Sequence, residues 1–148
     1  MKELKLVPIS LMDIEWLDKT EYKNLSTEKR KELVRASDLC QMNGEFFRFY
    51  LIKNENDTVG IINMCGHGDK IISIAPEIIE EYRGKGLGQK SLELAYLVAK
   101  KLGYKEVVAG IREENVISQK LHVKLGFKYV KNDISKNGNE LKVYSKKL

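Results

Sequence analysis

The sequence is poor in the residues that most often announce a compartment or a metal. Cysteine occurs twice, at Cys40 and Cys65, at no metal-binding spacing. Without a disulfide framework or a zinc-type cluster, both read as reduced thiols, and no metal is expected. No apolar run approaches the roughly 20 residues that cross a bilayer, so a membrane is not an expected partner. The first residues lack the basic start and apolar core of a secretory signal, and the expectation is a cytoplasmic protein. No repeat, low-complexity tract or linker interrupts the chain, so its 148 residues are expected to form a single domain, 1–148. A basic cluster with interleaved aromatics is also missing. The net charge of +5 and pI near 9.1 are modest and spread out, as on a solvated surface, and nucleic acid is not expected either. A local anionic ligand accounts for such an excess equally well.

What is present is a regular alternation of patterned segments. Residues 3–8 read as a strand and 11–17 as a short helix with Leu11, Ile14 and Leu17 on one side. Ser26 is the N-cap of a second helix, which Leu33, Val34, Ala36 and Leu39 carry to residue 42, where Asn43-Gly44 stops it. Strands 46–53, 58–65 and 70–79 follow, separated by the short turns 54–57 and 66–69, so they form an antiparallel meander. Pro76 cannot donate a ladder hydrogen bond, and a bulge, a splay or an edge position is expected there. The run 89–102 is helical, with Leu87, Ser91, Leu94, Ala95, Val98 and Leu102 on one face and Gly103 at its end. A strand at 106–111 leads to a helix at 116–125, with Ile117, Leu121 and Leu125 inward and Gly126 as its stop. Strands 128–132 and 141–146 form a hairpin through Asn137-Gly138. The fold class expected is mixed α/β, a mostly antiparallel sheet of about seven strands with helices on both faces.

The turn between strand 71–79 and helix 89–102 reads Arg83-Gly84-Lys85-Gly86-Leu87-Gly88. A glycine-rich strand-to-helix turn brings backbone N–H groups together at the positive end of a helix, which suits a pyrophosphate. Gly86 and Gly88 remove Cβ atoms, so a phosphate can approach the main chain, and Arg83 and Lys85 add full positive charge. A P-loop fails because Gly88 is followed by Gln89, not Lys. A dinucleotide fingerprint fails because counting from Gly84 or Gly86 puts Gln89 or Ser91 at the third glycine. Acyl-coenzyme A is the remaining class.

Arg83-x-x-Gly86-x-Gly88 resembles the R/Q-x-x-G-x-G/A signature of the GCN5-related N-acetyltransferase (GNAT) family. Asn115 with Ser118, and then Leu125-Gly126-Phe127, resemble that family's second conserved block, and the order of elements is similar over nearly the whole chain. Residues 1–44 resemble nothing in particular. The resemblance implies a GNAT fold with acetyl-CoA in a splayed gap between strands 71–79 and 106–111. It implies that main-chain groups near Ile78 and Ile79 pair with the pantetheine arm. It further implies that the N–H groups of Lys85, Gly86, Leu87, Gly88 and Gln89 hold the pyrophosphate, beside Arg83 and Gly84, that Lys90 and Ser91 add contacts from the first helical turn, and that Asn115 and Ser118 border the pantetheine.

The implied reaction is attack of an amine on the thioester. An ammonium with a pKa near ~10 must first lose a proton, so the site needs a base, and the leaving thiolate benefits from an acid. The family's usual acid is a tyrosine seven residues after the asparagine; this chain has His122 there. His122 could be the acid, assist as a base, or stabilise the helix end. Tyr129 and Tyr144 are alternative phenols. Relatives often carry a glutamate early in the central strand or in the next one, where this chain has Ile72-Ser73 and Gly110. Glu77 is therefore the leading candidate base, with His67 and Asp69 behind it, while Glu113 and Glu114 are expected to favour the start of the following helix. The expected acceptor is a primary amine of a small molecule. Alternatives are a protein or peptide amine (N-terminal or lysine) and a non-catalytic acyl-CoA-binding module. The hairpin 128–146 could pair with a second copy in a homodimer.

Overall fold

The computed structural model describes residues 3–148, with Met1, Lys2 and the side chain of Glu21 outside the described set. Seven strands make one sheet: β1 (Leu4–Pro8), β2 (Phe47–Asn54), β3 (Asp57–Gly66), β4 (Ile71–Ile78), β5 (Glu106–Arg112), β6 (Lys128–Ile134) and β7 (Glu140–Lys147). Their order is β1-β2-β3-β4-β5-β7-β6. Every neighbouring pair is antiparallel except β4 and β5, which are parallel. The helices are α1 (Thr27–Asp38), α2 (Leu87–Lys101) and α3 (Val116–Lys124). This is the mixed α/β, mostly antiparallel arrangement that the patterning predicts.

Both faces of the central strands are covered, so their side chains feed two cores. Ile62 and Met64 of β3 pack with Ile72 and Ile74 of β4 and with Leu92, Ala95 and Ala99 of α2. The alternate residue Ile61 joins Phe47, Phe49 and Leu51 of β2, Val34 of α1 and Leu17. Strands buried on both faces read as continuous apolar runs, which explains β2 and β3. On the second face, the Ser37 hydroxyl accepts from Phe49 N–H at 2.8 Å and fastens α1 to β2.

Several local expectations are corrected. Residues 11–17 belong to a 3-10 helix, Leu11–Lys19, and a second one, Glu21–Asn24, had no reading in the sequence. It starts where the Thr20 hydroxyl accepts from Tyr22 N–H. Helix α1 ends at Asp38, short of residue 42, because Cys40 takes a left-handed φ of 55°. Leu102, at the cap of α2, is about half exposed, and Ile117 on α3 is 85% exposed. Helix α3 faces the protein along Asn115, Ser118 and His122, a line that excludes Ile117.

Pro76 marks a splay. Strands β4 and β5 pair only from Ile71–Glu106 to Ser73–Val108 and then part. Ile79 N–H bonds Val59 O and His67 N–H bonds Ile71 O, so the odd-numbered residues of β4 turn their main chain to β3. By alternation Ile74, Pro76 and Ile78 turn theirs to the gap. A proline nitrogen there leaves no β3 acceptor unmatched.

Opposite this edge, β3 and β4 come unusually close. A Cβ placed on Gly60 would overlap the carbonyl oxygen of Glu77. Gly60→Ala is expected to destabilise the fold by about 2 kcal/mol, since neither backbone can yield without shifting β4. Urea denaturation of the two proteins checks this.

Candidate functional site

The parted strands enclose a cleft of about 520 Å³. One wall is Ile74, Ala75, Pro76 and Glu77 of β4, and the other runs from Val108 to Arg112 in β5. Asn115, Ser118 and His122 of α3 border it, Tyr22 and Asn63 line it from the α1 side of the sheet, and Ser73 stands at the closed end.

The Arg83–Gly88 turn leads from the end of β4 into α2. Gly84 and Gly86 take left-handed φ values of 80° and 74°, which L side chains rarely adopt. Gly86 is the N-cap of α2 and offers no side-chain acceptor. The first main-chain bond of the helix is Lys90 N–H to Gly86 O, at 3.2 Å. The N–H groups of Leu87, Gly88 and Gln89 therefore precede the helical ladder and point out of its positive end. Around Gly84 and Gly86 the Cβ direction is open space.

Arg83 is tied to the cleft as well as to the turn. Its Nε donates to Ile78 O at 2.9 Å, which leaves the rest of the guanidinium for another partner. Lys85 reaches over the Tyr82 ring and Lys90 is exposed. Two sequence-derived contacts change. Ser91 is fully buried and donates to Gly88 O at 2.8 Å, so it shapes the first turn and reaches no ligand. At Ile79 both main-chain groups are used in the fold, N–H on Val59 O and C=O on Tyr82 N–H. The groups directed to the gap are those of Ile74 and the N–H of Ile78, whose carbonyl accepts from Arg83.

Asn115 caps α3: its side-chain oxygen accepts from Ser118 N–H at 3.1 Å. Glu113 and Glu114 do not serve this helix. Glu113 lies against Glu140, whose pKa is raised because its protonated carboxyl donates a hydrogen bond to the Glu113 carboxylate and then by the Glu113 charge, and Glu114 reaches Arg112.

His122 is buried, edge-on to Phe127 at 4.9 Å. Its Nδ1 lies 2.7 Å from the Ser118 carbonyl oxygen, which can only accept, so Nδ1 carries the hydrogen. The neutral ring therefore offers only the Nε2 lone pair. Burial pushes its pKa below the usual 6.5, with the Ser118 carbonyl pulling weakly the other way. At neutral pH this group can accept a proton and has none to give from Nε2.

Neither Tyr129 nor Tyr144 lines the cleft. Tyr129 donates to Asn132 on the edge strand, and Tyr144 is buried against it. The phenol that does line it is Tyr22, which accepts from Asn63 Nδ2 at 3.1 Å; Asn63 Oδ1 accepts from Cys65 Sγ at 3.2 Å. Sequence reasoning missed both, because Tyr22 lies in a four-residue 3-10 helix with no periodic signal and Asn63 interrupts an apolar strand. Glu77 faces the same side, since Ile61↔Glu77 and Asn63↔Ala75 are register pairs. Burial pushes the Cys65 thiol up, so it stays protonated.

These features define a class by shape and charge: an open strand edge that leads to an uncapped helix N-terminus, which an elongated, phosphate-bearing ligand would fit. Residues 10–127 match the acetyltransferase (GNAT) family. The chain belongs to that family. No curated protein matches by sequence. Among solved structures, a chimera of the Vibrio cholerae spermidine N-acetyltransferase SpeG with hSSAT is similar at 17% identity, with 96% of this chain and 93% of that one covered and a TM-score of 0.82. A Salmonella typhimurium acetyltransferase that modifies the N-terminal serine of ribosomal protein L7/L12 is similar at 17% identity, 98% and 95% coverage, TM-score 0.78. Microcin C7 self-immunity acetyltransferase MccE, solved with acetyl-CoA and AMP, is similar at 17% identity, 99% and 93% coverage, TM-score 0.79. At these identities the likeness shows a shared fold.

The buried imidazole gives a signed prediction. A folded pKa below the unfolded one means that the unfolded chain binds more protons. Its contribution to stability is then present above about pH 6.5 and is lost as pH falls through the folded pKa. NMR titration should place the His122 midpoint below 6.5, and His122→Gln should flatten that part of the stability–pH curve.

Proposed function

We propose that this protein transfers an acetyl group from acetyl-CoA to a primary amine of a small, cationic molecule by direct attack. The observation that carries the reading is the conjunction of the parted β4–β5 edge with the uncapped N-terminus of α2 at its open end. The residues fit such a donor. Leu87, Gly88 and Gln89 N–H groups would hold the pyrophosphate with Arg83, Lys85 and Lys90 around it. Ile78 and Ile74 would pair with the pantetheine amides, beside Asn115 and Ser118. Acetyl-CoA supplies an activated acyl group; the chain's own residues orient it and exclude water from the closed end.

On the acceptor side Glu77 is the carboxylate that lines the cleft, and it draws an ammonium towards the β4 edge by charge. Tyr22 and Asn63 add polar groups on the same wall. A small cation suits a cleft of this volume. A protein or peptide amine, and a non-catalytic acyl-CoA-binding module, are the alternatives that the experiment must separate.

Thiol release from acetyl-CoA is to be followed with a panel of amines: spermidine, amino sugars, amino-acid amides and a serine-initiated peptide. Turnover with a small amine is expected. Turnover with the peptide alone favours the protein-directed alternative, and tight acetyl-CoA binding without turnover favours the non-catalytic one. Gly86→Val forces a β-branched side chain into a left-handed turn and should weaken acetyl-CoA binding about tenfold or more, read by calorimetry. Glu77→Gln should raise KM for the amine and leave acetyl-CoA affinity unchanged, in steady-state kinetics.

A further inference from the structure

The closed end of the cleft is a defined place. Ser73–Val108 is the last pair before β4 and β5 part, so a group driven fully into the cleft meets the Ser73 hydroxyl. Ser73 Oγ is 2.8 Å from His67 Nε2. In the tautomer with the hydrogen on Nδ1, the Ser73 hydroxyl donates to His67 Nε2, and Cys65 O is a longer alternative at 3.4 Å. His67 sits in the turn between β3 and β4 with its side chain exposed. The turn is held at both sides: His67 N–H bonds Ile71 O at 2.9 Å, and Gly68 N–H bonds the Glu45 carboxylate at 3.0 Å. A hydroxyl inside the cleft is thus linked by one short hydrogen bond to an imidazole in solvent.

We infer that Ser73 and His67 form the route by which the acceptor's proton leaves the cleft. The inference rests on the acetyltransfer reading above and deepens it, leaving Glu77 to hold the ammonium. One N–H proton of the ammonium passes to Ser73 Oγ as the Ser73 hydrogen passes to His67 Nε2. The freed nitrogen lone pair forms the N–C bond at the thioester carbonyl. Collapse breaks the C–S bond, the sulfur leaving with the electron pair. The second nitrogen proton neutralises the thiolate, and imidazolium His67 releases the first proton to water. The balance is ammonium plus thioester giving amide, thiol and one proton.

Other groups near this path do not replace it. The Cys65 thiol beside Ser73 is kept protonated by burial. His122 borders the cleft from α3, but its burial disfavours the imidazolium that taking up the acceptor's proton would form. The titratable and charged groups around the His67 turn are Glu45 before β2, Asp69 and Lys70 within it, and Tyr104 and Lys105 before β5, with Lys105 N–H bonded to Lys70 O.

The test uses the amine of the panel that the wild type turns over fastest. His67→Gln keeps a hydrogen-bonding side chain in an exposed turn but cannot carry a proton. It should lower kcat by about tenfold or more, with KM for both substrates unchanged, and remove the acid limb of the kcat/KM–pH profile. Ser73→Ala should do the same, and the double variant should be no slower than either single one. Calorimetric acetyl-CoA affinity and thermal melting, both unchanged, would show that the variants remain folded. A wild-type kcat and pH profile in His67→Gln would overturn the route while leaving the acetyltransfer reading intact. Absence of wild-type turnover with every amine would overturn both.

Discussion

The parting of β4 from β5 beyond Ser73–Val108 is the constraint around which the rest is arranged. Separating two central strands leaves main-chain donors and acceptors without partners, and such groups are costly unless water or a ligand satisfies them. The sequence lowers that cost by placing Pro76, which has no N–H, in the gap-facing row. Glycine at position 110 keeps the opposite wall low, and a Cβ there would already touch Leu141. The other edge of the same strand is held on β3 by an unbroken antiparallel ladder from Gly66–Ile72 to Gly60–Ile78.

The two histidines of the chain show how burial alone assigns different chemistry to one side-chain type. His122 is enclosed, its tautomer is set by a carbonyl, and its charged form is disfavoured. His67 lies at the surface with Nε2 on a hydroxyl. A buried ring that has spent Nδ1 on the backbone suits holding α3 against Phe127. An exposed ring can exchange protons with water freely. In the sequence both are single histidines, and the family resemblance ranks His122 first because it occupies a family acid position.

Much of the architecture was legible because the patterns were long. The meander, α2 and the hairpin through Asn137-Gly138 each rest on several periodic residues with a glycine at the boundary. The Arg83–Gly88 turn was legible because its chemistry is local: glycine conformation, helix polarity and charge lie within six residues. The acceptor wall was not. Tyr22, Asn63 and Ser73 come from a 3-10 turn and two strands, and only the β2-β3-β4 register brings them together. The failures at Ile117 and Leu102 have the same origin, since helical spacing says which residues share a face and not how far the neighbouring sheet extends beneath it.

Arg83 binds Ile78 O through Nε, which leaves its two terminal nitrogens outside that bond. One rigid, planar group therefore spans the helix-entry turn and the last residue of the open edge. Any ligand that runs along β4 and ends on α2 acts as a missing strand whose far end is clamped by this arginine. Occupancy of the gap is then linked to folding, and the apparent stability of the protein rises with the logarithm of ligand concentration above its Kd.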